Sequence, residues 1–177
     1  MPSGTRTIPA EPAATAAAQM SDAGATETWV LFLVEDQAYA LEMEEVDRIV
    51  RSVEVKPLPE VPPHIRGVVN VQGRVLPVVD LRLRFGHKSR AIALDSHFII
   101  ARTPTLSLIL PADSTVGLRE VTGESMPEDS ELPRCVRKVM PLDLGVVYAL
   151  DLEHVLFGDE SPTDSELARV LEELQGK

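Results

Sequence analysis

The sequence predicts an all-β protein made of short strands, and its composition and patterning support that prediction. Apolar residues make up 44% of the 177 residues but aromatic residues only 4%. The core therefore has to be built from Val, Ile and Leu, which favour strands. Short apolar runs alternate with polar turns along most of the chain, a pattern typical of barrels and sandwiches. The alternation of strands with long helices that marks parallel nucleotide-binding sheets is missing from this pattern.

The strands of the first half begin at the single tryptophan. Trp29–Val34 is a continuous apolar run, which is typical of a strand buried on both faces, and Ala38–Leu41 follows it after a polar turn. Met43–Val50 has apolar residues spaced like a helical turn that leads into a strand. The proline-rich segment 56–63 predicts an extended loop, because proline fixes φ and lacks an N–H.

A β-hairpin is the most specific local feature of the sequence. Val68–Val71 and Val75–Val79 are β-rich runs that meet at Gln72-Gly73, where glycine supplies the dihedral angles of a tight turn. Pro77 in the second run predicts that this strand lies at a sheet edge or carries a bulge.

Short helices and further strands are predicted after the hairpin. Asp80 is suited to cap a short helix that Gly86 ends. A helix is predicted over 161–177, because Thr163–Glu166 has the capping-box pattern and apolar residues follow at helical spacing. The strands predicted for the second half are Phe98–Ala101, Leu106–Leu110, Thr115–Leu118 and Gly145–Leu152.

The ends and the single cysteine bear on the environment of the protein. Residues 1–27 are rich in alanine and proline and have few large apolar side chains, so we predict a disordered tail. Cys135 is the only cysteine, which excludes an internal disulfide. No apolar stretch is long enough to span a bilayer. These features predict a cytoplasmic protein.

The charge distribution favours protein partners. The chain has 28 acidic and 17 basic residues and a net charge of −11, which disfavours binding to nucleic acid and to anionic lipid. Residues 64–102 nevertheless contain seven Lys and Arg against two acids, and residues 150–177 contain eight acids against two basic residues. Either these segments neutralise each other in the fold, or a basic face selects an acidic partner surface.

Motifs for catalysis, cofactors or metal binding are not found. The sequence has no phosphate-binding glycine loop and no nucleophile elbow, and its four histidines are not at metal-ligand spacings. Asp113 follows an apolar strand and is either a buried acid, as a hydrolase with a histidine would need, or a turn residue. We therefore predict that the protein is not an enzyme and has no cofactor. A peptide-binding SH3-like domain would need a groove lined by aromatic side chains. The chain has only seven aromatic residues, which disfavours this function.

Three segments resemble the CheW family of bacterial chemotaxis adaptors. They are Val30–Val34 with Tyr39 downstream, Glu45–Ile49, and above all Ile65–Arg82, which is similar to the signature hairpin of the family nearly throughout. The resemblance covers roughly residues 28–158 and is looser in the second half. It implies two SH3-like five-stranded β-barrels with short connecting helices, the first at about 28–86 and the second at about 87–160. Strand exchange between the two would blur that boundary.

The resemblance also implies partners. CheW-like adaptors couple the regulatory domain of a CheA-type histidine kinase to the cytoplasmic tips of methyl-accepting chemotaxis receptors, in arrays that also bring CheW-like domains together. Membrane recruitment of this protein would then occur through the receptors. By position, the residues that the resemblance assigns to partner binding are Val46, Arg48, Ile49, Gly67, Asn70, Gln72, Gly73 and Arg74.

Two of these positions depart from the family pattern. Arg48 stands where the family usually has glutamate, and Gln72 stands where it usually has arginine. In the family these two positions are thought to form a charged pair near the receptor-facing surface. Glutamine cannot replace the planar, five-donor fork of arginine. The alternative to a coupling protein is therefore a divergent accessory member that binds the kinase or its own kind but not receptors, in a pathway such as surface motility.

Overall fold

The computed structural model describes residues 25–122, 131–159 and 166–175. These residues form ten strands, three α-helices and a 3₁₀ turn at Met43–Glu45. In chain order the strands are β1 Thr26–Val34, β2 Gln37–Glu42, β3 Val46–Arg51, β4 Ile65–Val71, β5 Arg74–Val79, β6 His97–Arg102, β7 Ser107–Ala112, β8 Ser114–Thr122, β9 Val136–Leu142 and β10 Gly145–Leu150. The helices are α1 Leu81–Arg84, α2 Leu152–Phe157 and α3 Glu166–Gln175.

The strands form two five-stranded sheets, which confirms the all-β prediction. Sheet A has the order β8-β1-β2-β10-β9, and sheet B has the order β3-β6-β7-β5-β4. Sheet A takes its strands from both ends of the chain, so strands are exchanged across the predicted boundary near residue 86. The reason is the parallel pairing of β2 with β10, in which Ala38 lies opposite Val147. Sheet B is the contiguous middle of the chain.

The two outer strands of sheet B approach each other. After β3 the chain turns back along β4, and Lys56 forms an isolated antiparallel bridge with Val68. The amide of each residue donates to the carbonyl of the other, at 2.9 and 2.8 Å. Gly67 makes this approach possible, because a Cβ atom there would lie 2.1 Å from the Lys56 carbonyl oxygen. The sheet is thereby curled like a barrel.

Apolar side chains form three clusters. One is associated with sheet A and is built around Trp29, and another lines the inner face of sheet B around Phe98. The largest lies between the two sheets and includes Phe32, Tyr39 and Leu156. Because this third cluster contains side chains from both sheets, the two sheets share a core and pack as one unit.

Most of the predicted elements are present. The hairpin, the 3₁₀ turn before β3, and the helix capped by Asp80 are confirmed, and the Asp80 carboxylate accepts from the Arg82 amide at 3.0 Å. The predictions missed strand β9. Pro77 lies on an inner strand instead of an edge, and the bulge in this hairpin falls opposite, between Ile65 and Gly67. The inner position is tolerated because β5 is paired with β7 only at Val78 and Ile109.

The chain ends are partly described. The predicted tail lies outside the described residues as far as residue 24, and Thr26 already belongs to β1. Residues 163–165 of the predicted capping box Thr163–Glu166 also lie outside them. In α3, Leu167 and Leu171 are buried in the core between the sheets, as predicted, whereas Val170 is 42% exposed. The helix packs on β5 through a face narrower than the apolar pattern suggested.

A candidate protein-binding surface on sheet B

The β4–β5 turn has the geometry that its sequence requires. Gln72 and Gly73 both have positive φ, 52° and 85°, as the two central residues of a type I′ hairpin turn do. The Asn70 side chain accepts a hydrogen bond from the Gly73 amide at 2.8 Å. Asn70 and Gly73 therefore shape the turn, and the Gln72 side chain is left exposed on it.

The two residues that depart from the family pattern are in contact. Arg48 donates from Nη2 to Oε1 of Gln72 at 3.0 Å. The arginine side chain is 40% exposed, and its Nε lies 3.8 Å from the Asp47 carboxylate. Because Arg48 belongs to β3 and Gln72 joins β4 to β5, this bond connects opposite edges of the curled sheet.

The other two predicted residues of β3 do not share the surroundings of Arg48. Burial alternates along the strand, so that Val46, Arg48 and Val50 are partly buried while Asp47, Ile49 and Arg51 are exposed. Val46 packs against the core between the sheets. Ile49 is 39% exposed and lies on the other side of the strand from Arg48.

Gly67 has a backbone role. It is buried, has φ of +144°, and lies against the Lys56 carbonyl. The prediction that Gly67 contacts a partner stays a prediction, but the structure gives a separate reason for glycine at this position.

Arg74 lies next to the turn and brings in a residue that the resemblance did not assign. Its Nη2 donates to Oγ of Ser107 at 3.0 Å, and Ser107 is the register partner of Arg102. Arg102 is exposed at the end of β6. In the sequence, Arg102 was indicated as a possible partner-binding residue only because it belongs to the basic segment 64–102.

Asp113 is a structural anchor. Its Oδ1 accepts from Arg82 Nη2 at 2.8 Å, and its Oδ2 accepts from the Glu35 amide at 2.5 Å. Arg82 is buried, and its Nε also lies 3.6 Å from the Glu35 carboxylate. Of the two roles predicted for Asp113, a turn residue and a buried acid, the structure favours the turn residue. Asp113 also joins α1 to the β1–β2 turn.

Burial shifts the pKa of the cysteine and of one partly buried histidine. Burial raises the pKa of the Cys135 thiol, which disfavours the reactive thiolate. Burial also lowers the pKa of His64, whose Nε2 lies 2.9 Å from the Leu156 carbonyl oxygen. Among the described residues there is no group of three or more His, Cys, Asp or Glu arranged to hold a metal ion. Within that same part of the chain, no helix has the length and hydropathy needed to cross a membrane.

Two five-stranded sheets that share a core, one of them curled and carrying an exposed turn, define the fold class of this molecule. The family model of the CheW-like domain matches residues 28–160, and the chain belongs to this family. Proteins of the family are non-catalytic adaptors and scaffolds in chemotaxis.

Known proteins support this assignment. The chain is 26% identical to chemotaxis protein CheW of Thermotoga maritima over 128 residues, which is 71% of this chain and 84% of that protein. It is 32% identical to CheW of Helicobacter pylori over 71 residues, 40% of this chain and 43% of that protein. The crystal structure of the scaffolding protein TtCheW from Thermoanaerobacter tengcongensis superposes with a TM-score of 0.66, at 24% identity, and covers 76% of this chain and 94% of that one. The shared fold is the one with two SH3-like barrels.

Proposed function

We propose that this protein couples a CheA-type histidine kinase to the cytoplasmic tips of methyl-accepting chemotaxis receptors. The observation that carries the proposal is the match of residues 28–160 to the CheW-like domain, and the candidate surface is the place where β3 meets the β4–β5 turn. Five of the eight residues that the resemblance assigns to partner binding (Arg48, Asn70, Gln72, Gly73 and Arg74) lie at this surface. The protein would act in the cytoplasm and reach the membrane through the receptors, together with other CheW-like domains.

A second candidate is an accessory member that binds the kinase or its own kind but no receptor. The exchanged polar pair favours it. Here the cation lies on β3 and its partner is a neutral amide, whereas the family pattern has an acid on β3 and an arginine on the turn. A receptor surface matched to the usual pair would meet the opposite charge at position 48.

The experiment that separates the two candidates is crosslinking in the native cells, followed by capture of the full-length protein and mass spectrometry. Recovery of both a CheA-type kinase and a methyl-accepting receptor supports coupling. Recovery of the kinase without receptors supports the accessory function. Recovery of neither contradicts both.

A reciprocal exchange tests the polar pair directly. The double variant Arg48→Glu with Gln72→Arg restores the family pattern, and Arg119→Glu is a matched control because Arg119 is exposed on β8, in the other sheet. If the pair tunes receptor binding, the double variant changes receptor affinity by about tenfold while the control does not. Unchanged affinity in the double variant would contradict that view.

A further inference from the structure

Three arginines surround one end of sheet B. Arg48, Arg74 and Arg102 are each two residues beyond a side chain that packs in the inner cluster of the sheet, namely Val50, Leu76 and Ile100 respectively. Since side chains two apart on a strand lie on the same face, each arginine continues an inward-facing row to the end of the sheet.

The strand pairing places the three arginines on the same side of sheet B. β6 is antiparallel to both β3 and β7, with Arg48 opposite Ile100 and Arg102 opposite Ser107. β5 is parallel to β7, so Arg74 at the start of β5 lies at the same end as Ser107. The hydrogen bonds from Arg48 to Gln72 and from Arg74 to Ser107 confirm that this end is compact. We call the three residues the arginine cluster.

The charge of the arginine cluster is largely uncompensated. Gln72 and Ser107 accept hydrogen bonds from it but are neutral. In the described part of the chain, Asp47 makes the one ion pair with any of the three, at 3.8 Å from Arg48 Nε. The neighbouring Glu45 carboxylate is occupied by Arg137, and Glu44 is exposed.

The rest of the molecule determines what kind of partner fits. Residues 46–112, which contain sheet B, have ten Lys and Arg against five Asp and Glu. The described residues outside that range and before α3 (25–45, 113–122 and 131–159) have four against thirteen. A nucleic acid long enough to extend past the cluster would meet this acidic remainder, whereas a protein can present carboxylates to one end of sheet B alone.

We propose that the arginine cluster is a recognition surface for clustered carboxylates on a protein partner, with Arg48 as its specificity-determining residue. This deepens the proposed function, on which it rests for the identity of the partner. The turn residue Gln72 holds the Arg48 guanidinium without cancelling its charge. A partner of this adaptor should therefore carry acidic side chains at the place that faces Arg48.

The test measures dissociation constants of the full chain for a receptor cytoplasmic fragment and a kinase regulatory domain from the same genome, and for poly-L-glutamate. The variants are Arg48→Glu, Arg74→Glu and Arg102→Glu, singly and together, with Arg119→Glu as the matched control. The corresponding Lys variants keep the charge and control for packing. Thermal unfolding confirms that each variant is folded.

We expect the triple Glu variant to lose about tenfold or more in affinity for a protein partner and for poly-L-glutamate, while the Lys variants and Arg119→Glu stay within about twofold of the wild type. Wild-type binding should also weaken as salt rises from about 50 to about 500 mM, because exposed charges are then screened. If the dissociation constant for the protein partner changes neither in the Glu variants nor with salt, the inference is overturned and the proposed function is unaffected. Arginine-dependent binding of poly-L-glutamate without binding of kinase or receptor supports the inference and contradicts the proposed function.

Discussion

Arg48 and Gln72 lie 24 residues apart in the chain, yet a single hydrogen bond of 3.0 Å joins them across the curl of sheet B. The bond directs Nη2 of the guanidinium toward a neutral acceptor, so that among the described residues its charge is offset only by the Asp47 carboxylate, 3.8 Å from Nε. An ion pair at this place would have directed the side chain equally well but would have cancelled its charge. We therefore expect the contact to orient Arg48 on the surface and to contribute little to the stability of the fold.

A double-mutant cycle measures this directly. Arg48→Ala, Gln72→Ala and the double variant should give a coupling free energy of about 0.5 kcal/mol in urea unfolding, because exposed polar contacts compete with water. A coupling above about 2 kcal/mol would show that the pair is a structural element of the fold.

Gly67→Ala should destabilise the protein severely. The added Cβ would lie 2.1 Å from the Lys56 carbonyl oxygen, in a backbone conformation with φ of +144°, and we expect a loss of about 3 kcal/mol or more. Gly117→Ala is the control, since Gly117 has φ of +121° but no atom within 4 Å of a built Cβ. Equal losses for the two variants in urea unfolding would contradict the steric argument for Lys56.

Asp113→Asn should weaken the link between α1 and the β1–β2 turn. The buried Arg82 would lose the charge of its 2.8 Å partner, and we expect a loss of about 2 kcal/mol because Asp113 itself is partly exposed. Asp143→Asn, on the exposed β9–β10 turn, is the matched control and should change stability by less than about 0.5 kcal/mol. An unchanged melting temperature for Asp113→Asn would contradict the structural role of the ion pair.

Stability should fall at alkaline pH because of Tyr39. The ring stacks on Phe32 and Phe85 and is buried, and burial raises the pKa of its hydroxyl from 10.0 to about 12, with a smaller contribution from Tyr148. The neutral form is thus favoured by the fold, so its contribution is complete below pH 10.0 and is lost as pH rises toward about 12.

The loss over that interval should be about 2 to 3 kcal/mol. The unfolding free energy of the wild type should fall relative to that of Tyr39→Phe as the pH rises above about 10, measured by urea titration at several pH values. A difference that stays constant across this range would contradict the assignment.

The short elements of this protein follow from local features of its amino-acid sequence. The type I′ turn at Gln72-Gly73 depends on backbone dihedral angles and on an acceptor, Asn70, within four residues, so its information is local. The same holds for the helix capped by Asp80. Strand β9 escaped prediction because Arg137 and Lys138 interrupt its apolar pattern, and their charges are accommodated by ion pairs with distant acids, Glu45 and Glu27 among them.

Which strands share a sheet and which charges share a surface depend on long-range pairing in the folded chain. Apolar periodicity indicates which face of a strand is buried but not which strand lies beside it. The pairing of Ala38 with Val147 could therefore not be predicted from the local sequence. For the same reason a basic stretch in the sequence could not be resolved into a cluster. Three arginines from β3, β5 and β6 lie on one side of sheet B because of the directions and register of its strands.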